Sequence, residues 1–346
     1  MTKPMQSVLF ALLPIAVSLL ITALLIIIVG NNPLEVVHLV LSGAFGSSTS
    51  LGGVVNFWMP LAFCVVGLVV TFRAGLWNIG IEGQLMAGAI GASYVGLFVR
   101  DLPTPLWILL AIIAGAGAGM VVSLIISVLK TRLGINEIFG GVAMNALVNV
   151  YSIYLISGPW QPPEGGSAQA TQPFPREVWL TPFSQDFPVS LPYLGLLFGM
   201  IALVSVLLNN TRWGLQLKAT GKNPRSALLL GVPIERSTLT AFLLCGALAG
   251  MGGAHRVLET YHSLRPLISG GIGFLALLVV LLAGARLLWA VGIAFVSAAI
   301  LTGSTRLKIA LQLDASLANV LQGLVVLCIL LFNGIRERFF DEPRAD

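Results

Sequence analysis

The chain has 346 residues, 57% of them hydrophobic and only 10% charged, with a mean hydropathy of +0.94. Soluble globular domains carry about 25% charged residues, so this composition excludes a fully hydrated exterior. Apolar runs of about 20 residues between the charged stretches indicate helices that cross a bilayer, and the formal net charge of +5 is a matter of loop topology rather than of a nucleic-acid partner.

The first predicted span, 8–29, ends in Gly-Asn-Asn-Pro with no small-residue cleavage site nearby, and so is expected to be retained. In the outer segment 31–53, Leu34, Val37, Val40 and Leu41 stand at helical spacing, which predicts a short interfacial helix with Glu35 and His38 in water. Further spans are predicted at 54–72, 80–99, 105–129, 135–156, 191–209, 237–258, 270–285, 288–303 and 316–333, ten in all. The fold class is therefore an all-α integral membrane protein, a polytopic bundle forming a single domain over 1–346. With the N-terminus inside, thirteen of the nineteen lysines and arginines fall in inner segments, which predicts both termini in the cytoplasm.

Two connections are long. Residues 157–190 are rich in Pro, Gly, Ser and Thr, so an outer loop without regular structure is expected, with Trp160 and Trp179 docking at the interface. The inner segment 209–237 contains Asn223-Pro224, a helix-start signal, and Gly231, a stop; a short helix is predicted between them. Small residues recur at close-packing intervals, Gly115 and Gly119 in one span and Gly246, Gly250 and Ala254 in another.

Residues 71–88, TFRAGLWNIGIEGQLMAG, set Asn78, Glu82 and Gln84 among glycines between two apolar runs. A broken or re-entrant segment is expected near 75–83, because unwound backbone at membrane depth survives only when it is packed in protein or lines a wet cavity. Glu82 either accepts hydrogen bonds from the glycine-rich segment and locks it, or lines a route for a polar solute together with Asn78 and Gln84. Asn145 and Asn149, one turn apart, and Phe274, placed to stack on a ring, are further lining candidates. Arg73 is expected to reach headgroups, and Glu137 has no cationic partner in its own span.

Enzymatic chemistry finds no support. His-Glu-x-x-His and Gly-x-Ser-x-Gly are absent, and Gly221-Lys222 is followed by Asn223 where a phosphate loop needs Ser or Thr. The single cysteines Cys64, Cys245 and Cys328 have neither a pairing nor a metal-ligand spacing. No catalytic residue, metal site or cofactor is expected in the chain.

AGLWNIGIEGQLMAGAIGA (74–92) resembles the signature of inner-membrane permeases of ABC importers for nucleosides, ribose and simple sugars, which are related to branched-chain amino acid permeases. Gly134-Ile-Asn-Glu137 with Asn145, and Gly158-Pro-Trp160, are similar to the nucleoside branch. WGLQLKATGKNPRSALLLGV (213–232), LLCGALAGMGGA (243–254), Ile272-Gly-Phe274 and Leu321-Gln-Gly323 extend the likeness, with departures at Leu228 and at Leu287-Leu288. The resemblance implies a permease subunit moving nucleosides, with ribose or another sugar as the alternative and a self-sufficient carrier or channel as a further one. It implies as partners a cytoplasmic ABC ATPase holding ATP and Mg, a second related permease, and an extracytoplasmic binding protein. It also places ATPase coupling on Gly221, Asn223, Pro224, Arg225, Ala227 and Gly231.

Overall fold

The computed structural model describes residues 17, 20–28, 30–162 and 169–311, with three further helical positions at 323, 327 and 331. Most of the expected spans at 8–29 and 316–333, together with Leu321-Gln322 and Cys328, lie outside the described residues. The described residues are helical or irregular. The numbered helices are α1 (Pro33–Phe45), α2 (Ser48–Arg73), α3 (Ile81–Phe98), α4 (Thr104–Leu133), α5 (Glu137–Ser157), α6 (Leu191–Asn210), α7 (Arg212–Lys222), α8 (Pro224–Leu229), α9 (Ile234–His255), α10 (Ile272–Leu282) and α11 (Leu287–Leu311). α9 continues as a π-helix over Arg256–Tyr261. Six helices among the described residues are long and apolar enough to cross a membrane: α2, α4, α5, α6, α9 with its extension, and α11. Contacts divide the chain into two compact units, 1–54 with 296–346, and 55–295.

In the smaller unit, α1 starts on Asn32, whose side chain accepts the Leu34 amide, and on Pro33, whose missing N–H is harmless at a helix start. Its buried face carries Val36, Gly43 and Ala44, while Leu34, Val37 and Leu41 are exposed beside Glu35 and His38. Of the four apolar residues read at helical spacing, Val40 packs against the small core of Ile26, Val36 and Leu307; Gly43 abuts the backbone of Gly303 on α11, an approach that any Cβ would block.

In the larger unit α2 and α9 are central: 83% of the apolar window of α2 is buried, against 28% for α5 and for α6. The small-residue stripes meet. Gly88 on α3 faces Gly250 on α9, and Gly115 and Gly119 on α4 face Gly250, Ala254 and Gly246. Lipid gives helices no hydrophobic reason to associate, so such backbone contact, with its dispersion and weak Cα–H···O bonds, replaces it. α3 is 18 residues long and its first half, 81–89, is wholly buried, which lets it carry Glu82 and Gln84 without meeting lipid. Arg73 donates to Asn209 of α6 (3.0 Å), so it is tied to protein. Glu137 does have a cation, Lys130 at the end of the preceding helix; the pair is local in sequence but crosses a helix boundary.

Two expected elements differ. The inner segment 209–237 is folded into two helices, α7 and α8, because Thr211 caps a first amphipathic helix before Asn223 caps the second. The expected span 270–285 is a helix of 11 residues, α10, entered through an irregular segment at 262–271 where His262, Leu267, Gly270 and Gly271 all have positive φ.

Candidate functional site

α2 ends at Arg73 in a turn whose Gly75 has φ +72 and lies against the backbone of Gly221 on α7. The chain then runs unwound back into the protein, with Leu76 and Asn78 buried. Amides unwound in an apolar interior need partners. Asn145 on α5 supplies them: its Nδ2 donates to the Ile79 carbonyl (2.9 Å) and its Oδ1 accepts the Gly83 amide (2.7 Å). Asn78 and Gln84 form a reciprocal amide pair, 3.0 Å in both directions, and Asn78 Nδ2 also lies 3.1 Å from Cys245 Sγ. Both amides are fully buried, so neither reaches an open surface in this structure.

Glu82, in the first turn of α3, is 7% exposed. Its Oε1 accepts from Ser269 Oγ and from the Gly271 amide (3.1 Å), and its Oε2 accepts the Gly273 amide (2.7 Å). Gly271 is the N-cap of α10, so the carboxylate caps another helix at the end where the helix dipole favours negative charge. That accounts for a buried carboxylate that takes part in no ion pair among the described residues. The lock expected of Glu82 is present, but it holds the glycine-rich turn at 269–273 rather than its own segment. Periodicity cannot reveal a partner 187 positions away.

The same turn is held at a second point. Arg256 donates from Nε to the Ile268 carbonyl (3.3 Å) and from Nη2 to the Tyr261 hydroxyl (2.8 Å). Arg256 and Arg265 both lie over the Tyr261 ring, at 4.7 and 4.9 Å from its centroid. The connection at 169–190 is irregular apart from a 3-10 turn at Arg176–Val178, and it is docked on this region. Thr171, Phe174 and Leu180 donate their amides to Leu264, His262 and Leu258, and Ser190 donates to Glu259. Trp179 stacks on His262 at 3.7 Å, within the protein. Trp160 packs among Tyr94 and Phe98. Burial lowers the affinity of His262 for its proton, partly offset by its contact with the Leu258 carbonyl and by Glu259.

The remaining lining candidates are apart in character. Asn149, one turn beyond Asn145, has a buried Oδ1 without a hydrogen-bond partner, and Phe274 is 48% exposed immediately after the held turn. In the inner segment Asn223 caps α8 by accepting the Ser226 amide (3.0 Å), Pro224 occupies its first turn, and Ala227 is buried. Gly231 closes it with φ +78, and Arg225 is exposed. Gly221 serves the close approach to residues 73–75. Leu228, Leu229 and Leu230 are 62, 89 and 80% exposed. The sequence reading overlooked them, although three successive leucines in an otherwise polar segment are a visible signal.

A family model described as "Branched-chain amino acid transport system / permease component" matches residues 50–330. The chain belongs to this permease family. The permease is 27% identical over 298 residues to the nucleoside ABC transporter permease protein NupB of Lactococcus lactis, covering 82% of this chain and 80% of that one. It is 28% identical over 343 residues to the guanosine ABC transporter permease protein NupP of Bacillus subtilis, covering 96% and 94%. It is also 28% identical over 282 residues to the glucose ABC transporter permease protein TsgB13 of Haloferax volcanii, covering 79% and 73%.

Proposed function

We propose that the permease is the membrane-spanning subunit of an ATP-driven importer for nucleosides. The observation that carries this reading is its similarity to a guanosine permease along 96% of its length. In this reading the two units act as one permease domain of ten crossings in the inner membrane, with both termini in the cytoplasm. It pairs with a second, related permease and receives solute from an extracytoplasmic binding protein. ATP and Mg are held by a cytoplasmic ATPase, and this chain carries out no chemistry itself.

Work enters through α8. Leu228 to Leu230 present an apolar tip flanked by Lys222 and Arg225, and exposed apolar side chains of this kind mark a contact with another protein. Asn223, Pro224, Ala227 and Gly231 shape that tip, and Gly221 sets it against the turn at 73–75. Nucleotide-dependent closure of the ATPase subunits favours one of two arrangements of the bundle, and transport follows from the difference in contacts between them. Asn78, Gln84 and Asn145 hold the broken segment, Glu82 holds the turn before α10, Phe274 is the exposed member of the lining set, and Asn149 brings to it a buried carbonyl oxygen without a hydrogen-bond partner.

The test is reconstitution of the permease with its ATPase, second permease and binding protein, followed by uptake of labelled guanosine, adenosine and ribose. Nucleoside uptake that requires ATP, and that Leu229→Asp abolishes while the complex still folds, is expected. Flux through the chain alone would overturn the reading in favour of a self-sufficient carrier. The similarity to a glucose permease favours a sugar as the second reading, and ribose uptake without guanosine uptake would establish it.

A further inference from the structure

We infer that the outward side of the turn at 267–274, formed by Leu267, Gly270 and Phe274, lines the water-filled route of the solute. The inference deepens the transport reading and rests on it. Depth comes first. Asn78 touches Cys245, and Gly253 is so close to Leu85 that a Cβ would strike its carbonyl. Cys245 and Gly253 both lie well inside the crossing helix Ile234–Tyr261. Glu82 sits between Asn78 and Leu85 in the chain and is therefore near the middle of that crossing. The turn it holds, through Ser269, Gly271 and Gly273, is at the same level.

Exposure comes second. Ile268, Ser269 and Ile272 are 3, 1 and 1% exposed, whereas Leu267 is 63% and Phe274 48% exposed, and Gly270 is exposed as well. Leu267, Gly270 and Gly271 have φ of +52, +58 and +79, so no helix runs through them; the Gly270 and Ile272 amides reach the Leu267 and Ser269 carbonyls in tight turns, and the Gly271 amide depends on Glu82. Irregular backbone of this kind is not tolerated against lipid; at depth it is found packed in protein or against water. A leucine held in the left-handed region is a strained residue, and such residues persist where the surroundings over-determine them, commonly at functional sites. Arg256, bonded to the Ile268 carbonyl, and Glu82, bonded to the Gly271 amide, are those surroundings. The three exposed residues offer a flat aromatic ring, an alkyl group and bare backbone, none of them charged; the charge nearest them in the chain is the exposed Arg265, which lies over the Tyr261 ring. Those three suit the planar ring of a neutral solute better than an anion, which would meet the already occupied N-terminus of α10.

The experiment places single cysteines at Leu267→Cys and Phe274→Cys, in a chain carrying Cys328→Ser, within the complete complex in liposomes. Leu147→Cys, on the exposed side of the regular helix α5, serves as the apolar control. A charged, membrane-impermeant thiol reagent is expected to label positions 267 and 274 about tenfold or more faster than 147, because only a hydrated thiolate reacts. Excess guanosine is expected to slow that labelling. Equal, slow labelling at all three positions in a folded complex overturns the inference, whether or not the complex transports. Fast labelling that guanosine leaves unchanged keeps the wet route and counts against nucleosides as the cargo. Two independent positions keep the test decisive should one variant fail to assemble.

Discussion

Replacing Glu82 separates the two oxygens of its carboxylate. Oε1 accepts from Ser269 and the Gly271 amide, and Oε2 accepts the Gly273 amide alone. In Glu82→Gln the carbonyl oxygen can keep the first position, and the NH2 group then faces the Gly273 N–H, donor to donor. One buried donor is left unsatisfied, at a cost of about 1–3 kcal/mol. That corresponds to roughly 5- to 150-fold faster exchange of the Gly273 amide, with Gly271 still protected. Glu82→Ala strips both backbone amides and the hydroxyl, so the loss rises to about 2–6 kcal/mol for the two amides alone. The assay is amide hydrogen exchange, read by mass spectrometry on overlapping peptides across 265–276 of the detergent-solubilised protein. The reasoning is refuted if Ala is no worse than Gln, or if Gln deprotects Gly271 as much as Gly273.

Other outcomes follow from the same geometry. Gly250→Ala drives a methyl into the Gly115 carbonyl and is expected to destabilise by about 1–3 kcal/mol, whereas Gly117→Ala meets nothing within 4 Å. On helix propensity alone Gly117→Ala should stabilise by about 0.5–1 kcal/mol; thermal unfolding of the two variants in one detergent checks the contrast. Asn145→Leu orphans the Ile79 carbonyl and the Gly83 amide together, an expected loss of about 2–6 kcal/mol visible as a lower melting temperature. His262 binds its proton less readily folded than unfolded, so the stability it confers is fully present above the unfolded value of about 6.5 and is lost as pH falls from there through its lower folded value. Protease nicking of the 169–190 connection should therefore increase below that pH, and His262→Gln should flatten the dependence.

The helical membrane class was legible because apolar length is a property of each segment by itself. The stripes Gly115/Gly119 and Gly246/Gly250/Ala254 were legible for the same reason, and the structure brings them together. Asn223, Pro224 and Gly231 fixed α8 to within a residue, since caps act within one turn. What escaped depends on distance in the chain. Glu82 could be recognised as a lock but not assigned its partner, because its donors come from the far side of six helices. Lys130 and Glu137 are seven positions apart, yet a reading confined to one span at a time missed them. α10 was overestimated because the apolar run does not stop where the helix does; the left-handed residues that bound it, Gly271, Gly284 and Ala285, include an alanine, which carries no signal of that conformation.

Gly75 and Gly221 meet backbone to backbone. A side chain between them could absorb a shift by changing rotamer, a soft response that needs little energy. Bare main chain has no such slack, and close-packed contacts rearrange in steps rather than yielding gradually. The joint therefore behaves as a rigid stop: any push on the tip of α7 must either move the start of the unwound strand leading to α3 or be refused outright.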